Sequence, residues 1–311
     1  MIDRRTVGNA NNKNRIYSMS TTCLYDGPII DSHIHLYNAD RAGGIPWPEA
    51  GNPLHGTYLP DRYWDLVSAQ VVGAVVIEAS PWRSDNAWIL DTVRNDPRIL
   101  GVIGNLSPLD DHFSQDFDVL VRDPLFLGLR YGNLWGRDFS NDLTRPGFVA
   151  GLQGLVEHDL TFESANPDLA LVTDLLRLSD RLPDLRIVID HLPNAQVPAH
   201  LAGQWQRTLL ELAARPTVFS KWSEVPQHGP DGLIRDPAHY ADWLGFLREA
   251  FGDHRCFFGS DWPNSESVAN FEDTLQLTMA CINGLSKDAQ TQFFAGNFAR
   301  AYQRLKYEAV R

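Results

Sequence analysis

The sequence predicts a single domain with the (β/α)8 barrel fold, and three observations carry that prediction. Eight short apolar runs recur along the chain, at residues 28–33, 73–80, 99–105, 126–132, 160–164, 185–191, 216–223 and 255–263. They are continuous rather than alternating, which is typical of strands that are covered on both faces. Segments with helical spacing lie between most of them, and eight such units in 311 residues fit a barrel better than an open sheet.

Helices are clearest at residues 61–72, 84–96 and 168–182, where apolar side chains recur at the period of an α-helix. Ser84 at the start of the second segment is a favourable N-cap. No GxGxxG follows any strand, which weakens the dinucleotide-binding form of an open sheet. The first βα loop, residues 38–60, is long and rich in Gly and Pro, and long loops in compact domains tend to be functional.

The ends and the cysteines indicate a cytoplasmic protein. Residues 1–22 are polar and mildly basic, so we expect a flexible tail before a barrel domain that spans residues 23–311. Met19 is a second candidate start site. No run is apolar and long enough for a signal peptide or a membrane span. Three widely spaced cysteines without a CxxC indicate incidental thiols in a reducing compartment.

The chain is acidic, with 27 Lys and Arg against 39 Asp and Glu, a formal charge of −12. This balance argues against general nucleic-acid binding and against an anionic membrane surface, because both need positive charge. The expected partner is a small-molecule substrate. A homo-oligomer is compatible with the sequence but not specified by it.

Seven of the eight predicted strands end in ionisable residues, where a buried strand would ordinarily place an apolar one. These residues are Asp31, His33 and His35 on strand one, Glu78 on two, Arg130 on four, Glu163 on five, Asp190 and His191 on six, Lys221 on seven and Asp261 on eight. The carboxyl ends of all barrel strands open onto one face. We therefore expect these side chains to converge on one site.

The spacing of His33 and His35 has a physical reason, because residues i and i+2 of a strand point to the same face. Two imidazoles side by side suit metal ligation, and they equally suit two hydrogen bonds to one substrate oxygen. For Glu78 and Glu163 a salt bridge inside the mouth is an equal alternative. Tryptophans that follow strands or lie in loops are candidate pocket walls, namely Trp47, Trp82, Trp135, Trp222 and Trp262.

Several motifs are more specific than the histidine pair. They are DSHIHL at residues 31–36, GLRYG at 128–132, IDHLP at 189–193, FSKWS at 219–223, FGSDWP at 258–263 and GNFARAY at 296–302. With these motifs the chain resembles the amidohydrolase superfamily from about residue 28 to residue 305. Within it the chain is similar to the amidohydrolase-2 group, which includes 2-pyrone-4,6-dicarboxylate lactonase and L-fuconolactonase.

The resemblance implies a role for most of the polar strand ends. Asp261 matches the general base toward water, and His33, His35 and His191 match residues that bind metal or polarise the scissile carbonyl. The candidate substrate-binding residues are Arg130, Lys221, Glu78, Trp82 and Trp262. If one divalent metal is present, with zinc the first candidate, its ligands come from His33, His35, Glu163, His191 and Asp261. Strand five offers Glu163 and no histidine, so metal-free catalysis stays open.

The sequence therefore predicts a hydrolase that opens a lactone of a sugar acid or of a pyrone or muconolactone-type carboxylate. A metal-dependent non-oxidative decarboxylase of an aromatic or muconate-type acid is the alternative, and the missing strand-five histidine counts against it. A catalytically silent barrel with a binding role is a further alternative, which the polar strand ends disfavour. There is no GxSxG for a serine nucleophile and no GxxxxGK[ST] for phosphate chemistry.

Overall fold

The computed structural model describes residues 24–305, which form eight parallel strands with helices between them. The strands, β1 to β8 in chain order, are Ile29–His35, Val71–Ile77, Ile99–Gly104, Phe126–Arg130, Thr161–Ser164, Arg186–Ile189, Val218–Trp222 and Cys256–Phe258. Each strand pairs in parallel with the next one along the chain. This order confirms the predicted barrel. The predicted tail, residues 1–22, lies outside the described residues.

The barrel closes between β1 and the segment that follows β8. Ile34 forms a parallel bridge with Trp262. The backbone N–H of His35 donates to the Trp262 carbonyl at 2.7 Å, and the N–H of Asp261 donates to the His33 carbonyl at 2.8 Å. This seam of backbone hydrogen bonds fixes Asp261 beside the two histidines.

The helices pack around the barrel. Those named α1 to α11 are Pro60–Leu66, Arg83–Val93, Phe113–Leu120, Phe139–Asp142, Phe148–Glu157, Leu169–Arg181, Ala202–Ala213, Ala241–Phe251, Phe271–Ile282, Lys287–Thr291 and Phe298–Ala301. A π-helical turn, Gln292–Gly296, joins the last two. None of the helices within residues 24–305 has the length and apolar content that a bilayer crossing needs.

Two predicted helix boundaries need correction. The helix predicted over residues 61–72 ends at Leu66, because the β-branched Val71 and Val72 begin β2 instead. Ser84 lies inside α2, whose N-cap is Trp82. The third predicted helix, over residues 168–182, corresponds to α6. It begins as expected after Asp168, whose side chain accepts a hydrogen bond from the N–H of Leu171 at 2.8 Å.

The predicted first loop folds back over the barrel mouth. Tyr37–Asn38 pairs antiparallel with Thr57–Tyr58, which turns residues 38–60 into a hairpin-like flap. The ring of Trp47 in this flap lies edge-on to His35, with the ring centroids 5.6 Å apart. The loop therefore contributes a wall to the space above β1.

The C-terminal segment fills the opposite end of the barrel. Phe298, Ala301 and Tyr302 pack among inward-facing side chains of the strands. The Thr161 hydroxyl, at the start of β5, donates to the Ala301 carbonyl at 2.6 Å. Burial of one phenylalanine such as Phe298 contributes on the order of 2 kcal/mol. The interior is thus packed from below, and open space remains at the carboxyl ends of the strands.

Candidate active site

A cavity of about 340 Å³ opens at the carboxyl ends of the strands, where the sequence predicts the site. Its lining comprises His35, Trp47, Glu78, Ala79, Arg130, Asn133, Leu134, Trp135, Asn166, His191, Glu224, Asp261 and Asn264. Five of the predicted site residues are among them, and His33 lies directly behind His35. The volume suits a small molecule of about one ring.

His33, His35 and Asp261 bring three ligand atoms together. His33 Nε2 and His35 Nε2 lie 3.3 Å apart, and Asp261 Oδ1 is 3.3 Å from the first and 3.1 Å from the second. His35 Nδ1 lies 3.1 Å from the carbonyl oxygen of Ile77. Because a carbonyl only accepts, His35 carries its proton on Nδ1, and its Nε2 presents a lone pair.

Burial keeps both histidines neutral. It lowers the pKa of His33 well below its usual range, helped by the charge of Lys221. Burial and the Arg130 charge lower the pKa of His35 to about 4. Two neutral imidazole nitrogens and one carboxyl oxygen therefore converge on the same small space. This donor set fits a divalent cation, since such ions favour imidazole and carboxylate ligands.

Asp261 is completely buried at the base of the cavity. Its Oδ2 accepts a hydrogen bond from Asn264 Nδ2 at 2.7 Å, which fixes the carboxyl group. Burial, with a smaller contribution from the Glu224 charge, raises the pKa of Asp261 to about 8, although His191 and Arg130 oppose the rise. The site thus holds a carboxyl group that can exchange a proton near neutral pH.

Arg130 and His191 form the second polar group. Arg130 Nη2 lies 3.3 Å from His191 Nε2, and because a guanidinium only donates, that nitrogen is the acceptor. The other ring nitrogen, Nδ1, then donates to Ser223 Oγ at 2.8 Å. Arg130 Nε is 3.3 Å from Asp190 Oδ2, and Nη1 is 3.8 Å from Glu78 Oε1. The single cation of the cavity wall is therefore already paired with acids.

Left-handed backbone marks the cavity. Six non-glycine residues within residues 24–305 have positive φ, and five of them line the cavity, namely Trp135, Asn166, His191, Glu224 and Asp261. A non-glycine residue is strained in this region of φ/ψ space, because its side chain crowds the backbone. Such residues cluster at functional sites. Asn166 and Glu224 are absent from the sequence-based prediction, because neither belongs to a motif.

Lys221 and Glu163 do not reach the cavity. Lys221 Nζ is fully buried, 2.8 Å from Glu163 Oε2 and 3.2 Å from Asp190 Oδ1. The hydroxyl of Tyr302 donates to the other oxygen of Glu163. The side chains point into the barrel below its mouth, so the structure offers Lys221 no substrate contact and places Glu163 outside the group of converging ligands. The salt-bridge alternative for Glu163 describes its geometry.

The predicted tryptophan contacts are also distributed differently. Trp262 is buried against Tyr63, with ring centroids 5.3 Å apart, and does not line the cavity. Trp82 lies outside the cavity, where its ring packs with Arg41. Trp222 packs on Phe293 behind the sheet. Trp47 and Trp135 are the two tryptophans of the cavity wall.

Asp31 has a structural position in the same strand as the histidines. Its carboxylate accepts the Tyr63 hydroxyl at 2.8 Å and the backbone N–H groups of Ser260 and His33 at 2.8 and 3.1 Å. The contact with Tyr63 ties β1 to α1, and the contact with Ser260 ties it to the segment after β8. Asp31 therefore supports the seam that carries Asp261 and does not line the cavity.

Comparison with known proteins bears on the fold and on the class of reaction. An L-fucono-1,5-lactonase of Burkholderia ambifaria is 29% identical over 292 residues, which cover 88% of this chain and 95% of that protein. An L-rhamnono-gamma-lactonase of Scheffersomyces stipitis is 24% identical, with 88% and 98% covered. The crystal structure of a Burkholderia multivorans amidohydrolase with bound zinc has a TM-score of 0.76 and 26% identity, with 89% of this chain and 99% of that chain covered.

The family model of the amidohydrolases matches residues 30–304, almost the whole barrel. Together with the relatives, it confirms the predicted superfamily, fold and hydrolase class. The chain belongs to the amidohydrolase family.

Proposed function

We propose that this chain hydrolyses the lactone of a polyhydroxylated acid, by attack of a water molecule that Asp261 deprotonates. The observation that carries the proposal is the position of the Asp261 carboxyl group, at the base of a one-ring cavity and beside the imidazoles of His35 and His191. The lactonase activities named for the relatives from Burkholderia ambifaria and Scheffersomyces stipitis support the reaction class.

Asp261 has the properties of the general base. Its pKa of about 8 lies close to neutral pH, where a base can take a proton from water and later return it to the leaving alkoxide. Asn264 holds Oδ2, so the orientation of the carboxyl group is set before substrate binds. General base catalysis of this kind contributes roughly 10²- to 10⁴-fold in rate.

The carbonyl of the lactone needs positive charge or hydrogen-bond donors as its oxygen becomes negative. Arg130 lines the cavity and is the charged donor of the wall. In our proposal it donates charge-assisted hydrogen bonds to the ester. His33, His35 and Asp261 are the residues that would hold a divalent cation, with zinc the first candidate, and such an ion supplies Lewis-acid polarisation of the carbonyl when bound.

The charges of the wall favour a neutral substrate. Glu78 and Glu224 face a cavity whose single cation, Arg130, is paired with Asp190. A dicarboxylate would need a second cation, and Lys221 is buried out of reach. Side-chain amides suit the hydroxyl groups of a sugar lactone, and the wall contains Asn133, Asn166 and Asn264. The same acidic wall disfavours the carboxylate substrate of a decarboxylase.

A weakly buffered pH-indicator assay tests the proposal. The panel contains neutral sugar lactones, pyrone and muconolactone carboxylates, and benzoate-type acids. Ring opening releases a proton, whereas loss of CO₂ from a carboxylate takes one up. We expect acidification with neutral sugar lactones that disappears in Asp261→Asn and persists in the exposed control Asp231→Asn. Turnover of carboxylated lactones alone would overturn the neutral substrate, and alkaline drift would point to the decarboxylase.

A further inference from the structure

Glu224 is a cavity residue for which the reaction above has no use. It follows β7 after Ser223, and its backbone is left-handed with φ of 53°. The side chain is 24% exposed, whereas the neighbouring Asp261 side chain is 1% exposed. The carboxylate is thus open to a ligand in a conformation that a non-glycine residue adopts only where its surroundings enforce it.

Two amides hold this carboxylate in place. Asn194 Nδ2, from the turn after β6, donates to Glu224 Oε2 at 2.7 Å, and Asn264 Nδ2 donates to Oε1 at 3.2 Å. The same Asn264 nitrogen donates to Asp261 Oδ2 at 2.7 Å. Glu224 Oε1 also lies 3.9 Å from His191 Nδ1. The Glu224 carboxylate is therefore fixed close to the proposed general base, and a single side chain, Asn264, bridges the two.

A carboxylate offers about four lone-pair positions, and the two amides occupy two of them. The remaining acceptor capacity suits hydroxyl groups, which donate, and repels a carboxylate, which cannot. We propose that Glu224 binds a ring hydroxyl of the substrate and thereby selects polyhydroxylated lactones. This inference rests on the proposed function, because it assigns a specificity residue to the same cavity.

The carboxylate is not needed to fill a packed core. Glu224 and Asn264 also line a second cavity of about 180 Å³, together with Asn194, Pro226, Ser265, Ser267 and Val268. Space on this side means that replacing Glu224 by glutamine, a residue of equal size, need not displace neighbouring side chains. The substitution Glu224→Gln is therefore expected to preserve the fold, and its effect on substrate choice can be measured.

The test combines a protein change with a substrate change. Wild type and Glu224→Gln are assayed on one sugar lactone and on its deoxy analogues, each of which lacks one ring hydroxyl. In wild type we expect one analogue to lose about 10- to 100-fold in kcat/KM, the range for a hydrogen bond to a charged group. In Glu224→Gln the intact lactone should lose a similar factor, mainly through KM, and the same deoxy analogue should lose little more.

The exposed residue Glu211 provides the matched control, and Glu211→Gln should behave as wild type. An equal loss on every analogue in Glu224→Gln would overturn the inference, because it would mean that Glu224 acts through Asp261 or through the fold. Should Glu224→Gln fail to fold, Asn194→Ala keeps the carboxylate but removes one tether, and it should weaken the same hydroxyl selectivity about tenfold or less. If wild type opens no sugar lactone, the proposed function itself fails.

Discussion

Two neighbouring groups of buried ionisable side chains in the barrel are built in opposite ways. The upper cluster, His33, His35 and Asp261, brings three electron-pair donors within 3.3 Å of one another and contains no cation. The deeper cluster, Glu163, Asp190, Lys221 and Tyr302, places the ammonium of Lys221 between two carboxyl groups. Asp190 connects the two, because its Oδ1 lies 3.7 Å from His33 Nδ1.

The difference indicates which cluster supports the fold and which one is available for the proposed chemistry. A buried charge is tolerated when it is paired, and Lys221 in the deeper cluster has two acidic partners within 3.2 Å. The upper cluster has no positively charged member, and burial raises the pKa of Asp261 to about 8; a carboxyl group perturbed in this way is typical of a functional site. In this interpretation the deeper cluster positions the carboxyl group of Asp190, which lies close to both His33 and Arg130.

Removing the proton acceptor of the upper cluster should have the largest effect. Asp261→Asn keeps the size of the side chain but cannot take a proton from water, so we expect kcat to fall about 10³-fold or more. Steady-state kinetics on the best lactone measures this loss, with the exposed Asp231→Asn as the control. A variant that keeps a tenth of the wild-type kcat would rule out Asp261 as the base.

Breaking the deeper cluster should mainly cost stability. Lys221→Met leaves Glu163 buried without its cation and Asp190 with Arg130 alone, and we expect a loss of about 3–5 kcal/mol in the free energy of unfolding. Adding Glu163→Leu removes the orphaned partner and should restore most of that loss. Chemical denaturation measures both variants.

The double variant also tests whether the deeper cluster positions Asp190 for activity or only packs the barrel. In Glu163→Leu with Lys221→Met, Asp190 has lost the ammonium at 3.2 Å, so we expect kcat to stay roughly 10- to 100-fold low although stability returns. Joint recovery of stability and kcat would show that the deeper cluster only packs the barrel.

The pH dependence of stability should set the upper cluster apart from the rest. Folding raises the pKa of Asp261 to about 8, above the value of about 3.9 for an unfolded chain. Its contribution to stability is complete below pH 4 and is lost as pH rises through 8, because the ionised form is disfavoured by burial.

In the presence of chelator, Asp261→Asn should therefore exceed wild type in unfolding free energy by an amount that grows with pH. The difference should reach on the order of 5 kcal/mol by pH 8. Thermal and chemical unfolding between pH 5 and pH 9 measures it, and saturating zinc should reverse the order by stabilising wild type. Parallel pH curves for the two proteins in chelator would contradict the assigned burial effect.

The smallest expected effect concerns the C-terminal end of the deeper cluster. Tyr302→Phe removes only the hydroxyl that donates to Glu163. We expect a loss of about 1 kcal/mol in stability and a decrease of less than tenfold in kcat, with KM unchanged. Tyr240→Phe, which removes a hydroxyl outside the cavity that donates to the Ile234 carbonyl, is the matched control and should leave kcat unchanged.

Much of the site could be predicted because, in a barrel, the position of a residue within its strand determines where its side chain points. Strand ends meet at one face, so His33, His35, Arg130, His191 and Asp261 could be grouped before any coordinates were known. Lys221 shows the limit of this reasoning. It precedes the last residue of β7, and a linear pattern does not report how deep in the barrel a side chain stops.

Other residues depend on contacts between distant loops. Glu224 and Asn166 follow strands in left-handed conformations and belong to no motif, so sequence gives no signal for them. The amides that fix Glu224 come from Asn194 and Asn264, which are 30 and 40 residues away. Trp262 was expected to contact the substrate, but its ring packs on Tyr58 and Tyr63 instead. Only the three-dimensional fold brings these three residues together.

The seam between the first and last strands also determines when the site can exist. His35 and Asp261 are 226 residues apart and touch only after the barrel has closed. During synthesis Asp261 therefore reaches its histidine partners late, after the last strand has been made. Until then the edge of β1 that later pairs with the segment after β8 is left unpaired. Under the proposed mechanism the enzyme therefore becomes active only when the barrel has closed, and the backbone N–H of Asp261 is itself part of the closing seam.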